Sequence, residues 1–279
     1  MINCDLTDKV IVVSGAGGVL CSRFSLILAE AGAKVALLNR TYEKAKAVED
    51  QIRAKGQIAK AYACNVLDKS EIEKVAEEVR IDLGTCDILI NGAGGNNPKA
   101  TTDKEYYEDG DLDSDIKSFF SLDEESVSSV FDLNFKGTLI PTQAFAKQML
   151  GKKDCSIINI SSMNAFTPLT KIPAYSAAKS AVTNFTKWLA IHFSKQGIRV
   201  NAIAPGFFAT AQNRTLLFNE DGSPTDRTRK ILAATPFERF GQAEELDGVL
   251  LFLVDSKASS FITGVCIPVD GGFSAYSGV

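Results

Sequence analysis

The chain has a single histidine and no closely spaced cysteine pair, which leaves little from which to build a zinc site. That histidine, His192, stands between Ile191 and Phe193 in a long helical pattern and reads as a structural residue. No apolar run approaches the ~20 residues of a membrane-spanning helix. The opening residues, Met1-Ile2-Asn3-Cys4-Asp5, carry neither the basic nor the apolar region of a signal peptide. A basic stripe is missing too: 30 Lys and Arg are outnumbered by 34 Asp and Glu. The net charge of −4 and pI near 5.3 argue against a nucleic-acid partner. The cysteines at 4, 21, 64, 86, 155 and 266 are scattered, several of them in apolar strand-like runs. They read as reduced core residues of a cytoplasmic protein. With no Pro/Gly/Ser-rich linker and no internal repeat, residues 1–279 read as a single domain.

What is present is rhythm. Short β-branched runs at Val10–Ser14, Lys34–Leu38, Ile58–Cys64, Asp87–Asn91, Ser156–Ile160, Arg199–Ala204 and Val265–Val269 alternate with helical patterns. The helical stretches lie near 20–31, 41–55, 69–83, 124–150, 174–196 and 242–254. Near-continuous apolar strands are covered on both faces, as in a parallel sheet. The pattern predicts an α/β fold, a doubly wound parallel sheet of about seven strands with helices on both faces. In such a sheet, ligands bind at the carboxyl ends of the strands.

Two stretches interrupt the alternation. Residues 95–123 are polar and acidic, with ten Asp/Glu against three Lys between Lys99 and Glu125. They read either as a lid or as a solvated surface loop. Residues 207–236 are also non-periodic and leave the sixth strand on the ligand-binding edge, a candidate substrate loop.

Three residues carry chemistry. Tyr175 and Lys179 are four apart on a helix opening at Pro173, so phenol and ammonium share one face. A free tyrosine titrates near pH ~10. A neighbouring positive charge is expected to lower that value and make Tyr175 an acid/base for an alcohol or ketone. Ser162 ends the preceding strand, where its hydroxyl is placed to hold the reacting oxygen. Asn134 lies inside a helical pattern that it suits poorly, which implies a local irregularity or a water-holding role.

The glycine-rich segment Ser14-Gly15-Ala16-Gly17-Gly18-Val19-Leu20-Cys21 follows the first strand and opens the first helix. Such a turn lets backbone approach a pyrophosphate at a helix N-terminus. The second strand ends in Asn39-Arg40 rather than an acid, which tilts the cofactor slightly toward NADP(H), although Asn39 also suits a ribose hydroxyl. Asn65-Val66 ends the third strand near the expected adenine position. Asn91-Gly92-Ala93-Gly94 closes the fourth and would approach the cofactor's centre.

Together with Pro205-Gly206 and Val269-Asp270-Gly271-Gly272, this ordered set resembles the short-chain dehydrogenase/reductases over essentially the full length. The resemblance implies a seven-stranded Rossmann-type sheet, NAD(H) or NADP(H), and a dimer or tetramer of identical subunits. It implies Tyr175 as acid/base, Lys179 on the nicotinamide ribose, Ser162 on the substrate oxygen and Asn134 on a relay water. Pro205, Gly206, Phe208 and Thr210 would meet the nicotinamide end. The family pattern is broken at Val19 and Cys21, which stand where glycines are usual. It is broken again at Ser14 for Thr, Asn65 for Asp and Gly92 for Asn. An altered pyrophosphate loop is expected, with Gly17 and Gly18 supplying its flexibility.

More narrowly, three features resemble the D-mannonate oxidoreductases, or fructuronate reductases, of the short-chain type. They are Gly17-Gly18-Val19-Leu20-Cys21, the insertion after Gly94-Gly95-Asn96-Asn97-Pro98, and the segments Gln212-Asn213-Arg214, Asp221-Gly222, Thr235-Pro236 and Arg239-Phe240-Gly241. That implies hydride exchange at the C5 ketone of a sugar acid. Arg214, backed by Arg227 and Arg229, would take the carboxylate, and Asn96, Asn97 and Asn164 the hydroxyls. A related gluconate, polyol or 3-oxoacyl reductase is the alternative, as is a cofactor-binding regulatory protein without catalysis.

Overall fold

The computed structural model describes residues 4–209 and 217–278. Its centre is a sheet of seven parallel strands: Val10–Ser14 (β1), Lys34–Asn39 (β2), Ala59–Ala63 (β3), Ile88–Asn91 (β4), Ser156–Ile160 (β5), Arg199–Pro205 (β6) and Cys266–Val269 (β7). Their spatial order is β3-β2-β1-β4-β5-β6-β7, so the order reverses between β1 and β4. Every residue of β1, β5 and β6 is buried, which is why these strands read as near-continuous apolar runs.

The helices are Val19–Glu30 (α1), Tyr42–Ala54 (α2), Lys69–Asp82 (α3), Glu124–Phe131 (α4), Gly137–Met149 (α5), Pro173–His192 (α6), Asp226–Ala233 (α7) and Asp247–Val254 (α8). Alternate residues of β1 feed opposite cores, as a period of two demands. Ile11 and Val13 pack with α1, α2 and α8, while Val10 and Val12 pack with α3, α5 and α6.

The pattern over 124–150 predicts one helix, and the structure breaks it. Asp132–Lys136 forms a π-helical turn between α4 and α5, with Asn134 fully buried at its centre. Turns of this kind are inserted where a helix must re-aim a side chain. Below the strand ends, a polar ladder crosses the sheet: Asn91 donates to Thr142 Oγ1 and Asn159 Oδ1 (2.9 Å each), and Asn159 donates to Thr186 Oγ1 (2.9 Å). It ties β4 and β5, which are in register at this pair, to α5 and α6. The helix that carries Tyr175 is thereby fixed to the strand that ends beside Ser162.

Residues 95–123 hold three short 3-10 turns, at Pro98–Ala100, Asp111–Asp113 and Phe119–Ser121. Two of the segment's acids pair internally with Lys104: Glu108 and Asp111 (2.8 Å to the latter). Its outside attachments include Thr102 N to Lys171 O (2.9 Å), Glu105 to Lys230 Nζ (2.7 Å), Asn97 Nδ2 to Ser129 Oγ (3.2 Å) and Gly95 to Asn134.

Candidate active site

The groove opens at the C-terminal ends of β1 and β4, where the strand order reverses. Gly15 adopts φ +69°, and a Cβ on it would stand 2.9 Å from the backbone nitrogen of Ala93. Only glycine allows both that conformation and that approach. Ser14 Oγ accepts from the backbone N–H of Gly92 (3.1 Å) and Ala93 (3.4 Å), which sews the first turn to the end of β4. Helix α1 begins after Gly18 with no side-chain cap and no acid in its first turn, so its leading N–H groups face an anion unopposed.

The unusual residues of this loop explain one another. A Cβ built on Gly92 would lie 2.1 Å from Cys21 Sγ. The cysteine therefore fills the volume that a side chain at 92 would need, and the two departures from the family pattern form one compensated change. Cys21 is fully enclosed, and burial pushes its thiol up to about 12, so it is a neutral filler.

Lys179 lies at the back of the groove, 4% exposed, and donates to Ile160 O (2.8 Å). Its Nζ stands 5.7 Å from the centre of the Tyr175 ring. Gly94 is what admits it: a Cβ there would sit 2.7 Å from Asn134 Oδ1 and 3.0 Å from Lys179 Nζ. Asn134 is held by donating to Gly95 O (2.7 Å) and Val130 O (2.8 Å) while accepting from Gly95 N (3.3 Å). The π-turn thus sets its amide against Gly95 and beside the same face of Gly94 as the Lys179 ammonium. The Ser162 hydroxyl faces the Tyr175 phenol closely enough to counter part of the rise that burial imposes on it. Ser162 Oγ also accepts from Asn164 N (3.3 Å), and Asn164 Oδ1 is buried without a partner among the described residues.

The electrostatics correct one expectation. Burial raises the Tyr175 phenol above its ordinary value, with the Ser162 hydroxyl offsetting part of the rise. Burial also lowers Lys179 to about 8. An enclosed lysine is not a fixed cation, because desolvation penalises its charge. In this geometry the tyrosine is kept protonated rather than primed as a phenolate.

Other predicted residues are placed differently. Asn91 reaches no groove with its side chain, which belongs to the ladder beneath the sheet. Phe208 is buried against Gly241, where a Cβ would be 2.5 Å from its ring, so its ring is committed to packing. Gly206 donates to Val269 O (2.9 Å) and packs on Asp270, which closes the ends of β6 and β7. Asn39 Oδ1 accepts from Gly17 N (3.3 Å) and its Nδ2 donates to Thr41 O (2.8 Å), so this side chain props the glycine loop. Arg40 and Asn65 line one cleft of about 530 Å³ together with Glu71, Lys74 and Glu78. Asn65 Oδ1 is used by Leu67 N (3.1 Å), and Val66 is core. Val19 and Leu20 are the first residues of α1.

On the substrate side, Asn96 donates to Thr101 Oγ1 (3.2 Å) and Asn97 caps the first 3-10 turn. Both serve the insertion rather than an open site. Arg229 is taken by Asp226 and Pro224 O. Arg227 lines a cleft of about 440 Å³. Thr210 and Arg214 lie outside the described residues. Sequence reasoning missed Lys171, a non-glycine residue at φ +71° on the rim of that cleft; nothing in its neighbours signals the conformation. No helix among the described residues is long and apolar enough to cross a membrane. None of the six cysteines is paired.

Comparison with known proteins agrees with this geometry. A family model described as short chain dehydrogenase matches residues 9–221. An uncharacterized oxidoreductase of Haemophilus influenzae is 58% identical across 99% of this chain and 97% of its own. A solved structure from Haemophilus influenzae, described as a candidate D-mannonate oxidoreductase with bound NAD, is 58% identical. It superposes with a TM-score of 0.96 over 99% of both chains. A gluconate 5-dehydrogenase from Burkholderia cenocepacia, in complex with NADP and tartrate, is 28% identical with a TM-score of 0.82 over 98% of both chains.

Proposed function

The chain belongs to the short-chain dehydrogenases and is an NAD(P)-dependent oxidoreductase, and from that premise we propose that it reduces a keto sugar acid, D-fructuronate to D-mannonate being the foremost pair. The observation that carries the reading is the convergence of Ser162, Tyr175 and Lys179 near the strand ends where the sheet order reverses. Bound nicotinamide supplies the hydride.

The uncapped start of α1 and the backbone of Gly15, Gly17 and Gly18 hold the pyrophosphate. The backbone of residues 91–94 and of Pro205, Gly206 and Phe208 flanks the nicotinamide end. Asn39, Arg40, Asn65 and Val66 frame the adenosine end. Ser162 donates to the substrate carbonyl oxygen and keeps it beside the Tyr175 hydroxyl. Tyr175 gives that oxygen its proton, and a phenol kept protonated by burial suits this reductive direction. Lys179 binds the ribose hydroxyls and, with Asn134, replaces the proton. The unpartnered Oδ1 of Asn164 is a buried acceptor suited to a sugar hydroxyl. Thr210 keeps the place expected from the resemblance at the carboxamide, and Arg214 its place among the cations of the substrate loop.

Two similarities favour a sugar acid over an acyl ketone: the 58% identical structure described as a candidate D-mannonate oxidoreductase, and the gluconate 5-dehydrogenase holding tartrate. The one-domain protein is proposed to act in the cytoplasm as a homo-oligomer, with residues 95–123 capping the site. One similar solved structure holds NAD and another NADP, so both dinucleotides belong in the test. Absorbance of NADH and of NADPH is followed with D-fructuronate, 5-keto-D-gluconate, a neutral ketose and a 3-oxoacyl thioester. Faster oxidation with a sugar acid is expected. Preference for the ketose or the thioester overturns the assignment.

A further inference from the structure

The cleft of about 440 Å³ is walled by four segments that leave the same sheet edge as the active site. Thr167–Lys171 follows Ser162 and leads into α6, with Lys171 four residues before Tyr175. Phe207 follows Pro205-Gly206, Phe273 follows Gly272, and α7 contributes Asp226, Arg227, Lys230, Ile231 and Ala234. Glu105 of the insertion completes the rim. The floor is apolar, with Phe207 and Phe273 edge to face at 5.3 Å.

The charges of this rim do not cancel. It carries three cations, Lys171, Arg227 and Lys230, and two acids, Glu105 and Asp226. Glu105 is paired with Lys230 (2.7 Å) and Asp226 with Arg229 outside the cleft. Among the described residues, neither Lys171 nor Arg227 closes an ion pair, although Lys171 acts on the Glu105 carboxyl from farther off. Lys171 also holds a conformation, φ +71°, that costs a side-chain-bearing residue energy and that glycine would adopt freely. A lysine retained there keeps its ammonium at the cleft at the expense of local stability.

We propose that Lys171 and Arg227 bind the carboxylate of the substrate in this cleft and so set its preference for an acidic over a neutral sugar; the proposal rests on the sugar-acid reading above. The carboxylate and the reacting ketone lie at opposite ends of such a substrate. A cation pair outside the Ser162–Tyr175 centre anchors the one end while the other reaches the hydroxyls. The guanidinium offers two parallel donors and the ammonium a point charge. Glu105, fastened by Lys230, fixes the insertion as the outer wall.

The test uses the full-length protein and four variants: Arg227→Ala, Lys171→Gly, their double, and Glu105→Gln. Each single loss should raise the KM for D-fructuronate about tenfold or more, as expected for a charged hydrogen bond, with kcat nearly unchanged. KM for a neutral ketose should not move. Calorimetric titration of D-gluconate into the NAD-loaded protein should weaken in parallel. Lys171→Gly should melt no lower than the parent, because glycine tolerates the backbone angle, which separates binding from folding. Glu105→Gln should lower KM. Added salt should raise the parental KM more steeply than that of the double variant. If the parent reduces D-fructuronate and both single variants keep its KM, the anchor is wrong and the sugar-acid reading stands. A parent that prefers the neutral ketose removes both. A fall in kcat with KM unchanged also overturns the anchor.

Discussion

The two sides of the groove are built by different means. The cofactor side, from the end of β1 to the end of β4, is shaped by backbone held at short range: Gly15 against Ala93, Gly92 against Cys21, Gly94 against Asn134 and Lys179. The substrate side, from Thr167 to Phe273, is shaped by charged side chains on loops, with acids spent on some cations and not on others. On the first side a missing atom matters, and on the second a missing partner. Tolerance should therefore differ: added volume breaks the cofactor side, whereas changed charge redirects the substrate side.

The chemistry where the sides meet gives the largest expected effect. Tyr175→Phe should lower kcat by about a thousandfold, within the range for loss of a positioned general acid, while NAD(H) binding measured by fluorescence stays intact. Retained turnover would place the proton donor elsewhere.

The cofactor side can be challenged by volume. Gly92→Ala forces a Cβ to within 2.1 Å of Cys21 Sγ and should cost about 1–3 kcal/mol in urea unfolding, the usual range for overpacking. The Cys21→Gly/Gly92→Ala double should recover part of that loss and no more, since Ser14 O lies 2.9 Å from the same position. Strict additivity of the two single changes would mean that residues 21 and 92 are not a coupled pair.

The smallest effect concerns the buried charge. Lys179 is pushed from its ordinary 10.5 to about 8, so above pH 8 the folded state has released this proton while the unfolded state still holds it. The unfolded state then binds more protons, and stability rises with pH through that window. Lys179→Met lacks this response. Between pH 7.5 and 9.5, below the tyrosine range, the wild type should gain stability relative to Lys179→Met. A difference that shrinks or stays flat would show that Lys179 keeps its full charge when buried.

The seven strands were readable because buried parallel strands must be apolar on both faces, and their predicted bounds match the structure to within one residue at most ends. Asn134 was readable as an anomaly, a poor helix former in a helix, and the π-turn is its cause. The side chains of Asn91, Asn96 and Phe208 were not, because residue type does not tell whether an amide or a ring faces a ligand or the core. Cys21 and Gly92 were each visible as departures, but they stand 71 residues apart and their contact exists only in the folded loop.

The sequence by itself determined the layered sheet and pointed to the proposed triad Ser162, Tyr175 and Lys179, since periodicity and helical spacing are local properties of a polypeptide. The tertiary structure alone decided that Tyr175 is raised and Lys179 lowered, that Asn91 serves the sheet, and that Lys171 and Arg227 are left without ion pairs among the described residues. Desolvation and charge pairing depend on which distant segments arrive at one place, and no single stretch of sequence contains that information.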